Sequence, residues 1–578
     1  MKKILSILLV FLFSVGVLSG CGGTDTSENT GSTAVGQGTS DFSTDDVIYI
    51  ENGSPRYTII RPDDSELTVT ASSVFKYMKD KLNVSVKNSM DTASDGTDEY
   101  EILIGNTNRP ESKQAYDWLI ANVGGRYDDY IICTINKKIV IQAITNDGLQ
   151  LAAKYFTDNF IKLDGIKGGI HYFNKTEGTF QELTVNGETF AKFSFVRPHF
   201  NSSYLTQVEM EKVASDVRST AGFVTEILED AYASEGDFEI VVGNTNRLGV
   251  NKDLTHPDEY EIKISGKKIY LNGGSPHATA IAVSEFGKLL SSKKTLTDAD
   301  SISGGYSETI NEYDASVTYR PIWGDYFDGD DVDTAKWYVQ PKTANGREGQ
   351  NGKFSGMDPN AVFVREGKLY IVAHENNDGY WGGEIITQKH MQYKYGYIEY
   401  SCIQADGDGF WSLLWLCGDG GGAARPEIDV NECFGNASAT AANCHSWPTS
   451  IGEAQYGWQH TSLDGDNKHA AKKYYCPDGK HFGEDFHTFG FLWDEDEMTF
   501  TADGKVFFSY TTNTTEQDID SFVDDYMYVR IGMSFGRLNN NLKVENLTDW
   551  ERENTNKFIV DWIQLYRLEG QGDFKLLK

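Results

Sequence analysis

The chain has 578 residues, too many for one hydrophobic core, so two to four domains are expected. Aromatic residues make up 13% and Gly accounts for 57 positions against 12 Pro, a composition that suits β-rich domains with many turns. A net charge of −33 repels nucleic acid and anionic headgroups, which argues against both as ligands and leaves neutral polymers open.

Lys2 and Lys3 precede an apolar run from Ile4 to Leu18, too short for a comfortable membrane span and read as a targeting segment. The run ends in Leu18-Ser19-Gly20-Cys21, which resembles the bacterial lipoprotein signal. The resemblance implies that residues 1–20 are a signal peptide and that a lipid on Cys21 anchors the chain at the bacterial cell surface. Residues 21–45, rich in Gly, Ser, Thr and Asp, are expected to be a flexible tether.

An internal repeat follows. Glu101-Ile102-Leu103-Ile104-Gly105-Asn106-Thr107-Asn108-Arg109 recurs as Glu239-Ile240-Val241-Val242-Gly243-Asn244-Thr245-Asn246-Arg247. Before each copy stands a strand ending in Arg-Pro, at Arg61-Pro62 and Arg197-Pro198, then an amphipathic helix around 71–82 or 207–220. After each copy come a hairpin through Lys137-Lys138 or Lys267-Lys268 and a closing helix around 148–160 or 277–290. The order strand, helix, strand, hairpin, helix predicts two small α/β sandwiches, over 46–185 and 186–312. They resemble the α/β accessory domains at the N-terminus of several glycoside hydrolases, which are not the catalytic parts of those enzymes. In the shared motif, Gly and Asn suit the tight turn after a strand, and Arg is expected to pair locally.

From about Val317 the pattern changes. All Trp except Trp118 lie beyond this point, and short alternating runs such as Lys368 to Ala373 and Tyr397 to Tyr400 appear. Residues 313–570 therefore read as two antiparallel sheets packed face to face. A piece starting near Asn311 is expected to fold without the repeats. Besides Cys21 there are Cys133, Cys402, Cys417, Cys433, Cys444 and Cys476. They include no C-x-x-C, which argues against zinc, and their spacings leave disulfides and free thiols both open.

The run Pro426-Glu427-Ile428-Asp429-Val430-Asn431-Glu432 places three carboxylates in six residues of strand-forming sequence. Alternation puts Glu427 and Asp429 on one face and Glu432 on the other. One β-bulge between Asp429 and Glu432 returns Glu432 to the shared face. The two Glu are then four ladder steps apart, roughly 13 Å between Cα atoms. Side chains leaning together close this to roughly 5–6 Å, against about 5–5.5 Å expected of a retaining glycoside hydrolase. Three like charges this close cannot all ionise freely, so at least one pKa is expected to rise.

The flanking markers fall in the order seen in glycoside hydrolase family 16, the laminarinase-like β-glucanases. They are Phe327-Asp328-Gly329 with Trp337, Tyr395-Gly396-Tyr397-Ile398-Glu399, Gly409-Phe410-Trp411 with Trp415, the carboxylate run, and Gly435-Asn436 with His445. Phe486 to Phe489, Trp493, Asp503-Gly504-Lys505 and Val560-Asp561-Trp562-Ile563 complete the set. The resemblance implies a multidomain chain whose C-terminal part is a concanavalin-like, all-β jelly roll behind two α/β sandwich repeats. It implies Glu427 as nucleophile, Glu432 as acid and base, and Asp429 hydrogen-bonding Glu427 between them. Trp411, Trp415 and His445 would contact sugar, although one Trp is as readily core and His445 a loop histidine. No cofactor is needed for catalysis; a structural Ca²⁺ at Asp561 is implied, with a turn-capping Asp561 the alternative.

Ser412 stands where the family often has Pro, Ser401 where it often has Arg, and the Gly-rich Gly418 to Gly422 segment is unusual before a catalytic strand. These departures are expected near the sugar subsites. The reading is a monomeric, lipid-anchored extracellular endo-β-glycanase that cleaves a β-1,3 or mixed-linkage polysaccharide with retention. It touches membrane through the lipid alone and binds no nucleic acid. Its rivals are a glycan-binding lipoprotein without activity, a transglycosylase, and a galactan-type hydrolase on the same fold.

Overall fold

The computed structural model describes Phe42 and residues 46–305 and 319–577. Residues 349–353, 419–425, 447–460, 463–471, 512–525, 537–556 and 569–572, and stretches of one to four residues elsewhere, fall outside the description. Cys21 and the tether also lie outside the described residues.

The first unit runs β1 (Thr58–Arg61), α1 (Ser65–Leu82), β2 (Lys87–Met90), β3 (Glu101–Ile104), α2 (Pro110–Trp118), β4 (Tyr130–Ile135), β5 (Lys138–Ala143), α3 (Asn146–Asn159) and β6 (Ile170–Asn174). The second runs β7 (Ser194–Arg197), α4 (Tyr204–Ala221), β8 (Ile227–Glu229), β9 (Glu239–Val242), β10 (Glu259–Ser265), β11 (Lys268–Gly273), α5 (Pro276–Lys293) and β12 (Ile302–Gly305). The sheet orders are β2-β1-β3-β5-β4-β6 and β8-β7-β9-β11-β10-β12, the same topology position for position. Each sheet thus has two strands beyond those expected. β2 and β8 are three or four residues with no clear alternation, and pairing to β1 and β7 makes them strands. The short helix α2 was also not expected, because its buried side includes Glu111 and Ser112 and shows little apolar period.

The repeated motif is structural in both units. Gly105 and Gly243 turn the chain at φ of 77° and 70°. Arg109 and Arg247 then reach back to the Glu that opens the same strand, with Nε to Glu101 Oε2 at 3.1 Å and to Glu239 Oε1 at 3.1 Å. Asn108 N–H and Asn246 N–H each donate to an Asp, Asp91 and Asp230, at 2.8 Å. The two units pack on each other through Arg126, which lies 4.0 Å over the Phe223 ring.

The C-terminal part is a two-sheet sandwich. Its principal strands are β13 (Tyr319–Asp325), β14 (Thr343–Glu348), β15 (Phe354–Met357), β16 (Val362–Arg365), β17 (Lys368–Val372), β18 (Gly379–Ile386), β19 (Gly396–Ile403) and β20 (Phe410–Gly418). They continue with β21 (Pro426–Phe434), β22 (Ala439–Ser446), β23 (Lys472–Tyr475), β24 (His487–Trp493), β25 (Glu497–Ala502), β26 (Lys505–Thr511), β27 (Met527–Phe535) and β28 (Lys557–Leu568). The back sheet has the order β16-β17-β28-β19-β24-β25-β26, with β13 beside β28. The front sheet has the order β14-β15-β18-β27-β20-β21-β22, with β23 beside β22. Pairing is antiparallel, as expected, except that β15 and β18 run parallel. Leu414, Leu416, Ile428, Val430, Ile531 and Met533 of the front sheet meet Tyr400, Phe489, Phe491, Phe500, Phe558 and Ile563 of the back sheet in one core. The six cysteines within the described residues are buried thiols.

The second repeat rests on the outer face of the back sheet. There Glu399, fully buried, accepts from Ser203 Oγ at 2.7 Å, Tyr204 N–H at 2.9 Å and Tyr397 Oη at 2.8 Å. Burial pushes its carboxyl from an ordinary 4.5 up to about 7, against those three hydrogen bonds, with the Asp503 charge adding a smaller push. A raised acid holds, in the native state, a proton that the unfolded chain has released. Its contribution to stability is therefore full below pH 4.5 and is lost as pH rises to about 7, by about 3 kcal/mol. Glu399→Gln is expected to flatten this part of the stability–pH curve. Chemical denaturation at pH 5 and pH 7.5 checks it, and an unchanged pH slope in the variant would rule Glu399 out as the source.

Candidate active site

The carboxylates sit on β21, between β20 and β22. Glu427 pairs with Cys417 and His445, and Asp429 with Trp415 and Asn443. Glu432 pairs with Leu413 and Ala441, so three residues of β21 cover two positions on each neighbour. This is the expected bulge. Val430 enters the core, and Asn431 also turns inward to accept from the Tyr400 hydroxyl. Two successive inward side chains return Glu432 to the outer face, four ladder steps from Glu427.

The three acids have different surroundings. Glu427 is half-buried, whereas Asp429 and Glu432 are 2% and 6% exposed. Burial first, and the Glu427 charge second, push Asp429 well above the carboxylate range, partly offset by its hydrogen bond with Glu432. The expected rise of one carboxyl therefore falls on the middle one. Asp429 hydrogen-bonds with Glu432, and the Glu427 charge acts on it as well.

Trp411 Nε1–H donates to Glu432 Oε1 at 3.1 Å. Its ring also meets Phe434, its register partner, at 5.3 Å between centroids. Phe434 is 45% exposed, an unusual position for a Phe, and was missed in the sequence although it is the next outward residue after Glu432. Trp415 is engaged differently. Its Nε1–H donates to Glu384 Oε1 at 3.2 Å, the Arg530 guanidinium lies 4.0 Å over its ring, and it packs on Ile386, Cys417 and Tyr528. Arg530 itself clamps Glu384 through Nε at 3.0 Å and Nη2 at 2.6 Å. This buried pair stands on the carboxylate face beside Trp415, the partner of Asp429. Glu384 and Arg530 are 146 positions apart in the chain, and only the pairing of β18 with β27 brings them together. Gly532 makes room, since a Cβ there would meet Glu384 Cγ at 3.1 Å.

His445 lies opposite Glu427 in the register, and its side chain is outside the described residues. Two departures expected near the sugar subsites lie elsewhere. Ser412 points into the core and donates to Gln404, and Ser401 is on the back sheet, donating to Asn201 of the second repeat at 2.7 Å. The cause is alternation: each is one step out of phase with the outward residues of its strand or lies in the other sheet. Gly418 closes β20, and 419–422 lie outside the described residues.

The Asp561 carboxylate faces Lys368 Nζ at 3.3 Å, and burial raises its pKa.

The family profile described as beta-porphyranase A-D, GH16 domain, matches residues 321–568. These residues are a glycoside hydrolase family 16 domain. The chain is similar to glucan endo-1,3-beta-glucosidase A1 of Niallia circulans, 28% identical over 212 residues, which are 33% of this chain and 29% of that protein. Endo-1,3-1,4-beta-glycanase ExsH of Rhizobium meliloti (strain 1021) is 26% identical over 241 residues, 41% of this chain and 43% of that protein. The chain thus spans less than half the length of either curated relative. Among solved structures, laminarinase from Flavobacterium sp. UMI-01 is 20% identical with a TM-score of 0.34, covering 43% of this chain and 100% of that one.

Trp411 carries a prediction. Trp411→Phe keeps an aromatic ring and removes the N–H held to Glu432, so kcat on polysaccharide is expected to fall while KM holds. If Trp411 also stacks on sugar, Trp411→Ala is expected to raise KM as well, because the ring is gone. Steady-state kinetics on one substrate separates these, and equal effects of both variants on kcat and KM would show that the N–H does nothing distinct.

Proposed function

We propose that the chain is an endo-acting β-glycanase that hydrolyses a β-1,3 or mixed-linkage glucan with retention of configuration. The observation that carries this is the bulged strand β21, which sets three carboxylic groups in different environments on one face. In this reading Glu427 attacks the anomeric carbon and forms a glycosyl-enzyme bond while the glycosidic oxygen leaves. Glu432 protonates that oxygen, then takes a proton from the water that releases the sugar. Trp411 Nε1–H holds the Glu432 carboxyl in place. Support for a glucan substrate comes from the two curated relatives, whose names state endo-1,3 and endo-1,3-1,4 activity.

A galactan-type hydrolase is the second reading, favoured by the porphyranase description of the matching profile. Reducing-sugar release from laminarin, mixed-linkage glucan, agar and porphyran, with product sizing, tests both. Glucan cleavage to mixed oligosaccharides supports the first, galactan cleavage the second, and no cleavage a glycan-binding protein. Product analysis at high acceptor concentration separates transglycosylation. Lipid anchoring at Cys21 and a cell-surface location belong to the same proposal; Cys21→Ser is expected to leave the membrane fraction, and a variant that still sediments with membranes removes the anchor.

A further inference from the structure

The outer face of the back sheet, on the far side of the sandwich from the carboxylates, is closed by the second repeat. Asn201 N–H donates to Asp503 Oδ1 at 2.8 Å, and Arg197 Nη1 to the Asp503 carbonyl at 3.0 Å. Thr488 Oγ1 donates to the Ser202 carbonyl, and Ser401 Oγ to Asn201 Oδ1. With Ser203 and Tyr204 on Glu399, the turn leading into α4 is matched group for group by the sheet. Leu205 and Ala280 of the repeat join Tyr397, Leu492 and Tyr566 of the sheet in one apolar cluster. The sheet is shaped for this contact. A Cβ on Gly490 would stand 2.2 Å from Tyr397 Oη, so only Gly lets Tyr397 reach Glu399. At Ser401, an Arg of the kind this family often carries would occupy the space taken by Asn201.

The same strand touches the active site from its other side. Glu399 and Ser401 face the repeat, and Tyr400 between them faces the core and donates to Asn431, the inward residue of the catalytic bulge. We infer that the second repeat is an integral layer of the hydrolase, melting together with the sandwich and, through β19 and the Tyr400–Asn431 hydrogen bond, holding the bulge that aims Glu432. The catalytic unit is then the second repeat plus the sandwich, and a piece starting near Asn311 is incomplete. The positioning part rests on the function proposed above; the melting part does not.

The full chain tests it with two probes that the fold separates. Among the described residues, all Trp but Trp118 lie in the sandwich and the α-helices lie in the repeats. In the wild type, thermal unfolding followed by Trp fluorescence and by helical ellipticity is expected to coincide. Ser401→Arg is expected to separate the two transitions and to lower kcat on the degraded polysaccharide with KM little changed. Asn201→Ala, which only removes a partner, is expected to shift both readings in the same direction by less, and covers the case in which Ser401→Arg does not fold. Tyr400→Phe is expected to lower kcat while the transitions still coincide. Wild-type transitions that are already separate overturn the shared layer. Dock variants with separated transitions and wild-type kcat overturn the positioning role. A wild type inactive on every polysaccharide counts against the proposed function and leaves the melting comparison to decide the layer.

Discussion

Glu427→Ala is expected to lose turnover on a polysaccharide that the wild type degrades, by about 10⁴-fold or more, the scale of removing a covalent nucleophile. Asp429, 2% exposed and with its carboxyl raised by burial, is not placed to replace it. Added azide is expected to give a glycosyl azide of inverted configuration, since a small anion then attacks from the vacated side. Glu432→Ala is expected to slow substrates with poor leaving groups far more than activated aryl glycosides, because only the former need the proton. With azide it is expected to give retained configuration. Asp429→Asn is expected to be milder than either, since it does not touch the bonds that change. Near-normal rates for both Glu427→Ala and Glu432→Ala would falsify the assignment.

Glu384→Ala is expected to cost about 3–5 kcal/mol of stability, the range for removing one partner of a buried ion pair. The reason is the partner left behind. Arg530 is mostly buried against Trp415 and gives Nε and Nη2 to Glu384, so truncation strands a guanidinium with no carboxylate. Trp415 loses its acceptor in the same step. Glu384→Gln keeps an acceptor and the volume and is expected to cost less. Urea unfolding with an unchanged slope measures both. A loss below about 1 kcal/mol in Glu384→Ala, the size typical of an exposed pair, would mean that water reaches this pair.

Much of this site was legible in the chain because strands have a period of two. Glu427 and Asp429 follow that period, Glu432 breaks it by one, and a single bulge is the smallest repair; the register places it between Asp429 and Glu432. The same logic, carried two residues further, reaches Phe434. The repeat was legible for a similar reason. In Glu101 to Arg109 and Glu239 to Arg247 the Glu that opens the strand and the Arg that answers it are eight residues apart, so the buried pair is written within one motif.

By itself, then, the sequence determined those features whose partners are near in the chain: the carboxylate order, the bulge, the two α/β units and the all-β part behind them. Tertiary structure alone decided the rest. Arg530 meets Glu384 across 146 positions, Asn201 meets Asp503 across 302, and Ser401 faces the second repeat rather than sugar. Which of the three acids is raised most clearly was likewise decided by burial, which depends on every strand packed around it. The physical reason is that local order follows from dihedral period and turn chemistry. Pairing across a sheet, and desolvation at its faces, depend on which distant segments come to cover it.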